Sequence, residues 1–152
     1  TERTEKSMKI STKGRYGLRL MVDLAVHYEQ GLVPLKEIAV RQEISEKYLE
    51  QIMMQLNRSG LVRSVRGAQG GYSLAQAPEN ITVGAVLRVM EGSLAPVDCV
   101  AGDGPVCDRM DQCVTITVWR KLNDAIQGVV DAITLRDLAD DYFRKNPPDY
   151  CI

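Results

Sequence analysis

The chain has 152 residues, 45% of them hydrophobic, and a formal net charge of −1, which suits one compact domain or a small domain with a helical extension. No apolar run approaches the roughly 18 residues that a membrane helix needs, and no signal-peptide pattern opens the chain, so a cytoplasmic protein with no membrane partner is expected. The charge is uneven: residues 1–75 carry 12 Lys/Arg against 8 Asp/Glu and residues 76–152 carry 7 against 12, so the basic front half hints at a polyanionic partner.

Residues 1–7 are polar and precede Met8-Lys9-Ile10; they read as a tag or processing remnant and are set aside. From Ser11 to about Glu29, Leu18, Met21, Val22, Ala25 and Tyr28 recur at helical spacing, and Gly31 follows as a stop. Pro34 opens a short second helix with Leu35, Ile38 and Ala39 on its apolar side, and Glu43-Ile44 makes a turn. Ser45 is a good N-cap for a third helix that carries Leu49, Ile52, Met53 and Leu56 inward and ends at Ser59-Gly60. A short helix, a tight turn and a helix with a polar leading end make a helix-turn-helix.

Leu61–Val65 reads as a strand and Gly71–Leu74 as its return, joined by the glycine-rich Arg66-Gly67-Ala68-Gln69-Gly70. That is a winged helix-turn-helix; a phosphate loop is disfavoured because the Walker lysine and a directly following helix are missing. After Pro78, Thr82 caps another helix with Val83, Val86, Leu87 and Met90 buried, and Gly92–Gln112 is loop. A long amphipathic helix is expected from about Cys113 to Ile133, striped by Val118, Leu122, Ile126, Val129, Val130 and Ile133. Thr134 caps a final helix through Leu135, Leu138, Ala139, Tyr142 and Phe143, ended by Pro147-Pro148. The expected class is mainly α with a small β-hairpin: a winged domain over 8–90, a cysteine loop over 91–113, a dimerisation helix and final helix over 114–146, and a tail over 147–152. The long helix has little of its own chain left to cover, so its natural partner is a second copy, giving a two-fold homodimer.

In such a fold the third helix enters the major groove of double-stranded DNA, leading with Ser45, Glu46, Lys47, Tyr48 and Gln51. Ser and Gln can bond base edges, whereas Lys and Tyr can hold phosphates. Arg66 and Gly67 at the foot of the wing are placed to probe a minor groove, and Lys9, Lys13 and Arg15 can add backbone contacts. Each of these alone is more often a solvated side chain; together, on one face of a winged fold, they favour DNA. Glu50 either accepts from cytosine, or repels the backbone and selects against some sequences, or is merely solvated.

Cys99, Cys107 and Cys113 lie within 15 residues, with Cys151 next to the end. Clustered cysteines in a cytosolic chain more often bind metal or sense redox state than form structural disulfides. The residues alone leave open a zinc site with one further ligand, an iron–sulfur cluster, a thiol switch, or a small electron-transfer protein, the last without a C-x-x-C motif to support it.

Three blocks resemble the IscR/NsrR/CymR family of bacterial winged-helix regulators: Met8–Arg19 its opening, Ser45–Ile52 its recognition helix, and Gly60–Tyr72 its wing. The resemblance implies a homodimer whose long helices cross, no enzymatic activity, and, in the IscR-type branch, three loop cysteines that ligate iron. Cys99, Cys107 and Cys113 take that role here in a C-x7-C-x5-C pattern, followed by Trp119-Arg120 as in that branch. The implied cofactor is an iron–sulfur cluster, 2Fe–2S before 4Fe–4S, received from the cluster-assembly machinery. The implied function is a repressor of cluster-assembly genes whose DNA affinity or site preference follows cluster occupancy, with Glu50 as the specificity switch. Members that sense cysteine metabolism without a cluster lack such a triplet.

The chain departs from the branch in two ways: the first cysteine gap is longer, and Ile116 stands where a histidine is the fourth ligand. Nitric oxide-sensing relatives use an acidic residue of the partner's first helix, at the position held here by Arg15. Cys151, Asp108, Asp111, His27 or an exogenous thiol are the candidates for the fourth ligand, with His27 read as structural and Cys151 as a passive tail. The alternatives are a nitric oxide- or redox-sensing repressor of the same family, and a cluster-free repressor switched by thiol oxidation.

Overall fold

The structure, a computed structural model, describes residues 9–102 and 107–148; residues 1–8 and Cys151 lie outside the described residues. The first helix, α1 (Thr12–Val26), starts where Ser11 Oγ accepts from the Gly14 amide at 3.0 Å, and it buries Leu20, Met21, Leu24 and Ala25. Tyr28 does not continue this stripe: it falls in a 3₁₀ turn, Tyr28–Gln30, and is exposed. Next come α2 (Leu35–Gln42) and α3 (Glu46–Arg58), separated by a turn at Glu43, which adopts left-handed φ of 53°. Ser45 caps α3 by accepting from the Tyr48 amide at 3.2 Å. Leu49, Ile52, Met53 and Leu56 are all 0% exposed, and each such side chain contributes about 1.5–3 kcal/mol on full burial.

Strands β1 (Val62–Val65) and β2 (Gly71–Leu74) pair antiparallel, Val62 opposite Leu74 and Val65 opposite Gly71. Val33 extends this hairpin by one bridge, exchanging two N–H···O bonds of 2.8 Å with Tyr72. Gly71 is needed for that approach, since a Cβ there would meet the Val33 carbonyl oxygen at 2.5 Å.

Thr82 caps α4 (Val83–Glu91), which buries Val83, Val86, Leu87 and Met90 and packs against α1, with Val86 and Met90 in the main core. The two helices meet closely at Gly17, where a Cβ would lie 2.7 Å from Met90 Sδ. The long helix α5 (Ile116–Ala132) begins three residues later than the periodicity suggests, because Cys113 is extended and Thr115 forms the helix boundary. It is joined to α4 by a two-pronged bridge from Arg88 to Asp131 (2.7 and 2.8 Å), with Gln127 also accepting from Arg88.

The last helix, α6 (Leu135–Lys145), starts at a capping box formed by Thr134 and Asp137. It returns to α1 and delivers Leu135 and Ala139 to the main core. Tyr142 and Phe143, expected on its buried stripe, are 45% and 50% exposed and stack edge-to-face. Among the described residues no helix is long and apolar enough to cross a membrane.

Candidate nucleic-acid interface and cysteine loop

Because α3 turns Leu49, Ile52, Met53 and Leu56 inward, its opposite face presents Ser45, Glu46, Lys47, Glu50 and Gln51 to solvent. Ser45 Oγ accepts from its own helix and keeps its proton to donate outward. Tyr48 is half-buried: its ring meets Tyr16 edge-on at 5.9 Å, and the Arg19 guanidinium lies 5.3 Å from the Tyr16 centroid. It therefore fixes the leading turn of α3 against α1 as well as lying among the expected DNA contacts. Glu50 sits near the wing, and its carboxylate, second to burial, pushes the Tyr72 phenol above its usual pKa.

Arg66 and Gly67, expected at the foot of the wing, instead open the loop that joins β1 to β2 and are exposed; Gly67 has φ of 114° and its carbonyl accepts from the Gly70 amide at 3.0 Å. Lys9 and Arg15 are exposed and Lys13 half-buried around the start of α1, with Arg15 donating to Thr12 Oγ1 at 3.4 Å.

A buried acid that sequence reasoning missed ties α1 to α2. Asp23, 5% exposed, accepts from Arg41 Nε (3.1 Å), Arg41 Nη2 (2.8 Å) and Gln42 Nε2 (2.8 Å). The bond to Asp23 is the main reason that the Arg41 pKa is raised. His27 Nδ1 lies 2.8 Å from the Asp23 carbonyl oxygen and 3.4 Å from its carboxylate, so the single histidine belongs to this junction. An acid between Val22 and Leu24 on a buried helical face was the available signal.

The three loop cysteines all lie between α4 and α5. Cys99 is in a 3₁₀ turn, Asp98–Val100, and is exposed; Cys107 is exposed; Cys113 is half-buried just ahead of α5. All three are free thiols. Cys113 Sγ lies 3.2 Å from Thr115 Oγ1, and this bond, then the Ile116 amide, holds the thiol pKa below its usual value. Cys99 also lines a cavity of about 1020 Å³ shared with Lys9, Ser11, Glu91, Leu122 and Ile126, so the loop abuts the start of α1. There Glu91 Oε1 accepts from the Ser11 amide (2.9 Å) and Ser11 Oγ (2.5 Å).

Thiols are the usual donors to iron–sulfur clusters, so the chemistry of the donor set suits such a group. Among the described residues, which leave out 103–106 of this loop, no three His, Cys, Asp or Glu side chains are gathered around one point. Asp108 and Asp111 are exposed, and Ile116 is buried without any donor atom.

The Rrf2 family profile, described as iron-dependent transcriptional regulator, matches residues 10–141. The transcriptional regulator CymR of Bacillus subtilis is 44% identical over 132 residues, covering 87% of this chain and 90% of the relative. IscR of Serratia proteamaculans is 43% identical over 131 residues, covering 86% and 79%. The solved structure of T. potens IscR superposes with a TM-score of 0.75 at 46% identity, covering 93% of each chain. Both kinds of relative are named as transcriptional regulators rather than enzymes.

Proposed function

The chain belongs to the Rrf2 family of transcriptional regulators, and from that premise we propose that it is a homodimeric, cytoplasmic repressor whose cysteine loop sets its affinity or preference for operator DNA. The observation that carries the reading is spatial. The exposed end of α3, the wing with Arg66, and the start of α1 present DNA-binding chemistry, and the cysteine loop abuts the last of these through the cavity that holds Cys99. Ser45 and Gln51 read bases, Lys47, Lys9, Lys13 and Arg15 hold phosphates, and Glu50 discriminates between sequences.

A second copy is the natural cover for α5. Among the described residues of this helix Ile116 alone is buried, whereas Val118 and Val129 are 54% and 59% exposed. Gly128, next to Val129, also borders open space: a Cβ added there would meet nothing within 4 Å among the described residues.

Cys99, Cys107 and Cys113 are the proposed ligands of an iron–sulfur cluster, delivered by the cluster-assembly machinery whose genes are the proposed targets. The names of IscR relatives and the thiol donor set support this cofactor. When bound, it would supply iron responsive to oxidants and nitric oxide. The free thiols, two of them exposed, support a second reading, a cluster-free thiol switch: two thiols brought together give two protons and two electrons to hydrogen peroxide, which leaves as two waters, and a disulfide forms.

The test is the visible spectrum, with iron and sulfide assay, of anaerobically purified protein and its C99A, C107A and C113A variants. A charge-transfer spectrum lost in each variant supports the cluster. A colourless protein after reconstitution leaves the thiol switch, which peroxide-dependent release of DNA then checks.

A further inference from the structure

We infer that Glu91 is the joint between the cysteine loop and the DNA-facing start of α1, a positioning residue that acts through the cap of that helix. The inference rests on the reading that the loop sets DNA binding. Glu91 is the last residue of α4, and Gly92, at φ of 78°, turns the chain into the loop. One oxygen of its carboxylate accepts from both the backbone and the hydroxyl of Ser11, at 2.9 and 2.5 Å. Ser11 Oγ in turn accepts from the Gly14 amide, so the carboxylate sets the rotamer of the group that caps α1.

Helix α1 has no acidic residue in its own first turn. Glu91 supplies from another element the negative charge that a helix N-terminus favours. Among the described residues Glu91 forms no ion pair with a cation, so Ser11 is its assigned partner. The sequence also leaves space for the carboxylate: a Cβ on Gly14 would collide with Glu91 Oε1, although glycine is a poor helix former. Lys9 and Cys99 line the cavity beside this clamp, and Lys13 and Arg15 lie in the turn that it caps. A loop that moves the end of α4 therefore shifts the cap, and with it the basic residues on either side.

The test uses the full chain in a Cys151→Ser background, chelated, reduced and anaerobic, with the loop thiols either free or alkylated by iodoacetamide. Hydrogen exchange is followed in peptides covering residues 9–17, and binding is followed to a duplex enriched from a randomised library. Alkylation should speed exchange there about fivefold or more in the parent and in Glu91→Gln, which keeps an acceptor oxygen. In Glu91→Ala exchange should be fast from the start and change less than about twofold on alkylation. Gly14→Ala, which displaces the carboxylate while favouring the helix, should behave as Glu91→Ala does and guards against a variant that fails to fold.

An undiminished response in both Glu91→Ala and Gly14→Ala overturns the inference. So does a parent whose DNA affinity responds to alkylation while exchange over 9–17 does not, and in that case the loop reading survives. If neither exchange nor DNA binding responds in the parent, the loop reading fails and takes the inference with it.

Discussion

At the scale of single residues, an exposed side chain without partners and a buried one with several predict opposite outcomes. Gln51 is exposed with no structural partner among the described residues, so Gln51→Ala should leave the melting temperature unchanged and relax sequence preference at one position by about 1–3 kcal/mol. Competition between matched and mismatched duplexes checks it. Asp23 is the opposite case. Asp23→Ala leaves Arg41 and Gln42 without their shared acceptor, and should lower stability to urea by about 1–3 kcal/mol, discounted toward the lower end because Arg41 is one-third exposed. At Cys113 the hydroxyl of Thr115 favours the thiolate. Thr115→Val should therefore raise the thiol pKa and move the midpoint of its alkylation rate to higher pH, with mass spectrometry following that one cysteine.

At the scale of elements, periodicity and capping made most of the fold legible. The inward residues of α3, the cap at Ser45, the left-handed glycine at position 60 and the two strands stand where their chemistry puts them. Two features were not legible, for different reasons. The first is the start of α5: Cys113, Val114 and Thr115 do not break a helical pattern, and only the extended backbone at Cys113 delays the helix. The second is the destination of α6. Its stripe is apolar enough to pack anywhere, and the contact that fixes it is main-chain: Val83 donates to Ile133 and Leu135 to Ile81, each at 2.9 Å. In the same way the partners of Glu91 and Asp23, 80 and 18 residues away, cannot be read from local pattern.

The joint between α4 and α5 gives a prediction at this scale. Arg88→Met removes the donors to Asp131 and Gln127, and should raise hydrogen exchange across the second half of α5 while leaving α3 protected. The bridge also lowers the pKa of Asp131, so its contribution is present above the usual carboxylate pKa and is lost as pH falls through the depressed one.

At the scale of the whole molecule, the charge asymmetry acquires a structural meaning. The basic front half forms α1 to β2, with the exposed cations at Lys9, Arg15, Lys47 and Arg66, and the acidic back half supplies the cysteine loop and α5. Binding should weaken with salt, and Lys9→Ala or Lys47→Ala should each reduce the slope of log K against log salt by about 1. The exposed side of α5 predicts that Val129→Glu converts a dimer into a monomer in sedimentation experiments, with a loss of affinity for a two-fold DNA site.

Whether one loop governs what the reading head does is decided by affinity. The quantity to measure is the dissociation constant of anaerobically purified protein and its C99A/C107A/C113A variant for a duplex enriched from a randomised library. Control by the loop requires a difference of about tenfold or more, roughly 1.4 kcal/mol, or a change in the sequence enriched. Equal affinities and the same enriched sequence would contradict it, and would leave a DNA-binding protein whose cysteines do not control it.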